Sequence, residues 1–246
     1  MSEDNYFRFS NSVLLAPMLA VLAIWTVFWV EVRFQINLNQ LGIYPRTLSG
    51  LKGIVLSPFL HGSIDHLYNN TIPVAVLTSA LFYFYRGISL RVLLFGLLIS
   101  GLLTWLIGRP SYHIGASGII YVLASFIFFK GIFTKYYRLV ALSLGVVFIY
   151  GSMLWYMFPI KDGISWEGHL SGFIAGLALA ILLKARIPEV RKFDWEKEDY
   201  NEEEDEFLQH FDEKGNFIEN KQDASENEPP TLNITYHYKE KPGNSD

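Results

Sequence analysis

The chain has 246 residues, 51 % of them apolar and 18 % charged, with no cysteine and a net charge of −4. Without cysteine there are neither disulfides nor thiolate metal sites, and an acidic balance offers nothing to nucleic acid. The charge is divided: residues up to 186 sum to +7 and those from Glu189 onward to −11, so a mildly basic, apolar part of 1–186 precedes an acidic tail of 187–246.

The first apolar run, Phe9 to Val30, lacks a basic flank and a small-residue cleavage site, and so reads as a retained membrane span and not a signal peptide. The connection from Glu31 to Pro58 is too long for a simple turn. It carries its own apolar stretch, Leu48 to Leu60, with Gly50 and Gly53, and a turn at Tyr44-Pro45-Arg46 whose cation can anchor it at the membrane interface. Five more apolar runs follow: Leu67 to Tyr85, Val92 to Gly108, Ile114 to Phe129, Leu139 to Ile160 and Gly168 to Leu183. A helix needs about 20 apolar residues to cross a bilayer. These runs are apolar all round, whereas a soluble helix keeps a polar face. The expected fold is an all-α membrane protein with six spans. The fourth run predicts a short helix from Ala116 to Phe129, about 21 Å long against a hydrocarbon layer of ~30 Å, which would sink its first turn below the outer surface.

The tail contains runs such as Asp199 to Glu206 that bury too little surface to offset chain entropy, so most of it is expected to be disordered. Thr231 to Tyr238 alternates like a strand but has no partner run. With the N-terminus inside, the inner flanks of the spans hold eight Lys and Arg and the outer loops five, which places both termini in the cytoplasm. The second, fourth and sixth spans then all start on the outer side.

Those three starts carry the unusual polar residues. His66 and Asn70 are four apart and share a helical face; both can donate hydrogen bonds, which suits an oxyanion that develops during attack on a carbonyl. His61 lies on the approach to that helix and can support the face. Ser117, between Ala116 and Gly118 and two residues after Gly115, is a candidate nucleophile that needs a base. His169 opens the sixth run, with Gly172 and Gly176 three and seven residues later on one face, a spacing that lets two helices approach closely. Pressed against the fourth helix, the sixth would bring the imidazole to Ser117, and Tyr121, one turn below the serine, can pack on the ring. Each piece has a plainer reading as an interior polar residue bonded within the bundle; their convergence at one level is what favours chemistry. Acidic residues at the outer ends, Glu31, Asp65, Asp162 and Glu167, lie in loops or at junctions, so a Ser/His dyad is expected in place of a triad.

In these residues the chain resembles the rhomboid intramembrane serine proteases. The resemblance rests on His61-x4-His66-x3-Asn70 entering the second span, Gly115-x-Ser117-Gly118 with Tyr121 in the fourth, and His169-x2-Gly172-x3-Gly176 in the sixth. It covers about residues 10 to 185. It implies a six-helix rhomboid bundle in a bacterial inner membrane, with the active site open to the outside. Ser117 would be the nucleophile, His169 the base and then the acid, and His66, Asn70 and the Ser117 amide the oxyanion hole. It further implies transmembrane proteins as substrates, with small residues at the cut, lipid as the surrounding partner, and no metal or cofactor. The first external loop departs from some members in having Tyr44-Pro45-Arg46 where they carry a Trp-Arg pair, and the acidic tail has no counterpart. A rhomboid-like protein that binds membrane segments without cutting them is the alternative, and a transporter would show internal repeats that are absent here.

Overall fold

A computed structural model of the chain describes residues 7–160, 163–186, 193–212 and 214–218. The chain divides into two compact units, Met1–Val190 and Arg191–Asp246. Regular structure among the described residues is helical, apart from two isolated bridges, Ile43 to His113 and Phe211 to Phe217.

In the first unit the α-helices are α1 (Ser12–Phe34), α2 (Gly53–Leu56), α3 (Ile64–Phe84), α4 (Ser89–Ile107), α5 (Ser117–Thr134), α6 (Tyr137–Tyr150) and α7 (Trp166–Leu182). α5 is the centre of the bundle: α3, α4, α6 and α7 all pack against it, and the core runs through Leu77, Leu81, Ile120, Leu123, Phe126, Ile127 and Leu179. α1 lies outside, against α3, where the Trp25 indole donates to Thr71 Oγ1 at 3.0 Å. Leu14, Met18, Leu22 and Trp29 on α1, and Phe148 and Ile149 on α6, are exposed, a disposition that hydrocarbon solvates and water does not.

α1, α4, α5 and the segment Tyr137–Met157 are long and apolar enough to cross a membrane. Among the described residues, length and composition alone qualify four of the expected six spans. α3 is 21 residues long, but Asp65, His66, Asn69 and Asn70 dilute its first two turns, and α7 has only 17 residues. The run expected over Leu139 to Ile160 is α6 followed by a 3-10 helix, Gly151–Met157. α5 is longer than expected, 18 residues ending at Thr134 or about 27 Å, so helix length does not sink Ser117. The cause is Lys130, which ends the apolar run in the sequence but is buried in the structure. Its Nζ donates to the carbonyl oxygens of Ala180, at 2.9 Å, and Leu183. A cation there satisfies the orphan carbonyls at the C-terminus of α7.

The segment between α1 and α3 is built of short helical turns, Asn39–Leu41, Leu48–Lys52, α2 and Ser57–Phe59. Arg46 clamps it to the end of α4, donating from Nη1 to the carbonyls of Leu106 at 3.1 Å and Gly108 at 2.8 Å. Ile43 exchanges backbone bonds with His113, and Ser57 O accepts from Gly115 N at 2.8 Å. The segment therefore holds the loop that leads into α5.

In the second unit, 3-10 turns at Asp194–Glu196, Glu202–Glu204 and Leu208–His210 precede a tight turn at Asp212 to Asn216. There Asp212 Oδ1 accepts from the amides of Lys214 and Asn216, and Phe207, Phe211 and Phe217 pack around it. The stretch Thr231 to Tyr238 lies outside the described residues.

Candidate active site

Ser117 is the first residue of α5 and His169 lies in the first turn of α7. The two helices start at the same end and run parallel, since Gly118 faces Gly168 at one end and Lys130 reaches Ala180 and Leu183 at the other. Gly172 and Gly176 set the approach. A Cβ at Gly172 would sit 2.3 Å from the Gly118 carbonyl oxygen and 2.9 Å from Tyr121 Cβ, and one at Gly176 would sit 2.4 Å from the Val122 carbonyl oxygen. The obstacles are mostly backbone and cannot rotate away, so any larger residue would force the helices apart.

The imidazole of His169 is buried and held on two sides. Its ring stacks on Tyr121, with centroids 4.4 Å apart and planes at 15°, and Tyr121 is itself fixed by a hydrogen bond from its hydroxyl to the Met153 carbonyl. His169 Nδ1 lies 2.9 Å from the carbonyl oxygen of Tyr156. A carbonyl only accepts, so Nδ1 carries the proton and Nε2 presents its lone pair. No hydrogen bond links His169 to Ser117 among the described residues. Glu167 does not reach the imidazole; its Oε1 accepts from Arg109 N at 3.1 Å and its Oε2 lies 3.8 Å from Arg109 Nη1.

α3 supplies the third wall. Ser63 caps it, accepting from His66 N at 3.1 Å, which fixes the first turn that carries His66. The His66 ring lies against Gly115: a Cβ on that glycine would be 2.6 Å from both Cε1 and Nε2 of the imidazole and 3.8 Å from Asn70 Nδ2. Gly115 also has φ +106, a conformation that a residue with a side chain rarely adopts. Both constraints select glycine two residues before Ser117. Asn70 donates one amide hydrogen to its own helix, at His66 O and 2.9 Å, so a second remains. His61, buried beneath, meets His66 edge to face at 5.0 Å and lies 3.4 Å by Nδ1 from Phe59 O. Burial first, then the neighbouring His66, pushes His61 down to about 4, so it is neutral at ordinary pH.

The structure also brings in residues that the motifs did not single out. His113 bonds Ser165 Oγ through Nδ1 and approaches Arg109 O at 3.1 Å through Nε2. Ser165 caps α7 by accepting from Gly168 N, and the Arg109 guanidinium donates to Ile164 O at 2.6 Å. Arg109, His113, Ser165 and Glu167 thus lace the loop before α5 to the start of α7. Glu167, one of only six acids before position 187, is 1 % exposed; a buried carboxylate requires a cation, but only the fold shows that it is buried. Beside this lacing lies a cavity of about 40 Å³ lined in part by Ser57, His113, Gly115, Ser117 and Ser165, which has room for water or a small side chain.

The profile of the Rhomboid domain matches residues 49–186, more than half of the chain. A protein of Mycobacterium tuberculosis and one of Mycobacterium bovis are each 36 % identical to it over 173 residues, 65 % of this chain and 71 % of theirs. One of Mycobacterium leprae is 35 % identical over 161 residues, 61 % of this chain and 62 % of its own. All three are described only as uncharacterized. With these matches and its membrane-long apolar helices, the chain belongs to the rhomboid family and is an integral membrane protein.

Proposed function

We propose that the protein is an intramembrane serine endopeptidase that hydrolyses peptide bonds in or near the transmembrane segments of other membrane proteins. The observation that carries this reading is the fixed imidazole. Tyr121 sets the plane of His169 and the Tyr156 carbonyl sets its tautomer, so a basic nitrogen is available at the end of the bundle where Ser117 begins α5.

In the proposed reaction Ser117 Oγ attacks the scissile carbonyl carbon while His169 Nε2 takes the hydroxyl proton. The negative charge that forms on the carbonyl oxygen is met by the backbone N–H of Ser117, which as the first helical residue has no intrahelical acceptor, and by His66 and the spare N–H of Asn70. Collapse expels the amine, which takes the proton from His169. Water, deprotonated by the same imidazole, then releases the acyl group. The narrow space around Gly115 and Ala116 favours small side chains at the cut. The absent Ser117–His169 bond fits a resting site in which catalytic contacts tighten only on substrate. α3 and α7 complete a set of six spans: in α3 Asn70 is buried in the bundle while Asp65 and Asn69 stay exposed in its first two turns, and in α7 Glu167 and His169 are buried. The Lys and Arg distribution supports cytoplasmic termini and a site that opens to the outer face of a bacterial inner membrane.

The same missing bond is the observation on the side of the second reading, a silent relative that binds membrane segments without cutting them. Cleavage of single-span test proteins in liposomes, with the cut mapped by mass spectrometry, decides between them. Wild type is expected to cut, and Ser117→Ala and His169→Ala to lose at least about 10³-fold in rate. Wild type that neither cuts nor takes up a fluorophosphonate label overturns the protease reading.

A further inference from the structure

We infer that the end of the bundle opposite Ser117 holds a binding site for the headgroup of an anionic phospholipid. A cavity of about 670 Å³ opens there, and five cations from three separate parts of the chain line it: Arg8 ahead of α1, Arg86 and Arg91 around the α3–α4 turn, and Lys184 and Arg186 after α7. This volume is within the range of about 300 to 1,000 Å³ common to small-molecule sites. Among the described residues no carboxylate lines it. None of the five cations forms an ion pair among the described residues; Arg91 Nη2 donates only to the Gly87 carbonyl, at 3.2 Å.

A general excess of positive charge on one side of a membrane does not account for the arrangement. Two other cations toward this end are used by the protein itself. Lys130 caps the carbonyls at the end of α7, and Arg138 lies over the rings of Phe7 and Tyr137 at 5.4 and 5.6 Å. Of the six that remain, all but Lys135 converge on one space, where their mutual repulsion is relieved by an anion. Arginine forks match the paired oxygens of a phosphate. Leu90, Ile181 and Leu182, next to the lining residues in the chain, are exposed on helices that face hydrocarbon. An anion seated in the cavity thus has apolar surface beside it for acyl chains, which a free phosphate would not use. Basic pockets between helix ends are the kind of site in which acidic headgroups are held. The inference does not depend on the catalytic reading.

The test uses the full-length protein in neutral detergent, with bound lipid measured by native mass spectrometry and stability by thermal unfolding. Phosphatidylglycerol or cardiolipin is expected to be retained and to raise the unfolding midpoint, and phosphatidylcholine to do neither. The combined substitution Arg86→Gln, Arg91→Gln, Lys184→Gln is expected to weaken binding on the order of 100-fold, while the charge-keeping set Arg86→Lys, Arg91→Lys, Lys184→Arg retains it. If the triple glutamine variant does not fold, Arg91→Gln alone, expected to weaken binding about fivefold, takes its place. Equal retention of phosphatidylcholine, unchanged binding by the neutralised variants, or displacement of the lipid by millimolar inorganic phosphate overturns the inference. So does carbodiimide coupling of Lys184 to carboxylates beyond Asp194 that anionic lipid leaves undiminished, because the chain's own acidic segment then fills the space.

Discussion

Asn70 spends one amide hydrogen on the carbonyl of His66, at 2.9 Å, and the bond orients the other. If that second hydrogen stabilises the oxyanion, Asn70→Ala lowers kcat by about 10²- to 10³-fold. KM should change little, because the bond strengthens only as charge develops, and steady-state kinetics on a single-span substrate checks the split. An equal rise in KM with kcat intact would assign Asn70 to ground-state binding. Residues such as Asn70, Ser117 and His169 were legible in the sequence because they are polar intrusions at the ends of apolar runs, where a side chain must have a reason to be. Tyr156 and His113 were not legible. Tyr156 acts through its backbone carbonyl, which every residue has, and His113 acts through a loop pairing with Ser165 that no local spacing encodes.

Between elements, the contact of α5 with α7 is made by backbone. A methyl group at Gly172 would meet the Gly118 carbonyl at 2.3 Å, so Gly172→Ala must displace one helix against the other. Overpacking of this kind costs about 1 to 3 kcal/mol. The expected outcome is a lower unfolding midpoint together with a loss of cleavage, because the displacement separates the two ends where Ser117 and His169 stand. A substitution of the same size into open space, Gly145→Ala, where a Cβ meets nothing within 4 Å, should leave cleavage intact. This contact was legible from the three- and seven-residue spacing after His169. The end of α5 was not: a lysine reads as the limit of an apolar run, and only the neighbouring helix shows that Lys130 is enclosed by the carbonyls it serves. Likewise α3, weak as a span by composition, turns Asn70 inward and sets the His66 ring against Gly115 and His61, while Asp65 and Asn69 stay exposed.

For the molecule as a whole, acid is the expected weakness. His61 is pushed down to about 4, by burial and then by His66, against the opposing Phe59 carbonyl. Burial likewise lowers His113, opposed by the Arg109 carbonyl and the Glu167 carboxylate. Both remain neutral in the folded protein at a pH where the unfolded chain, with histidines near about 6.5, already takes up protons. The unfolded state therefore binds more protons, and stability falls as pH drops from about 6.5 towards 4, levelling below that for His61. Unfolding midpoints measured across this interval are expected to trace the decline, and His61→Gln to flatten it; a midpoint that rises on acidification would contradict the assignment. At this scale the helical class and the division between apolar part and acidic tail were plain from composition, while the lacing of Arg109 to Glu167 required the fold. One consequence concerns bilayers of different thickness. α5 and α7 are riveted twice, by glycine at the serine end and by the Lys130 amine at the other. When the protein tilts to match thinner or thicker lipid, the two rods lean as a single beam, so the gap between hydroxyl and imidazole is insulated from acyl-chain length while the peripheral helices absorb the strain.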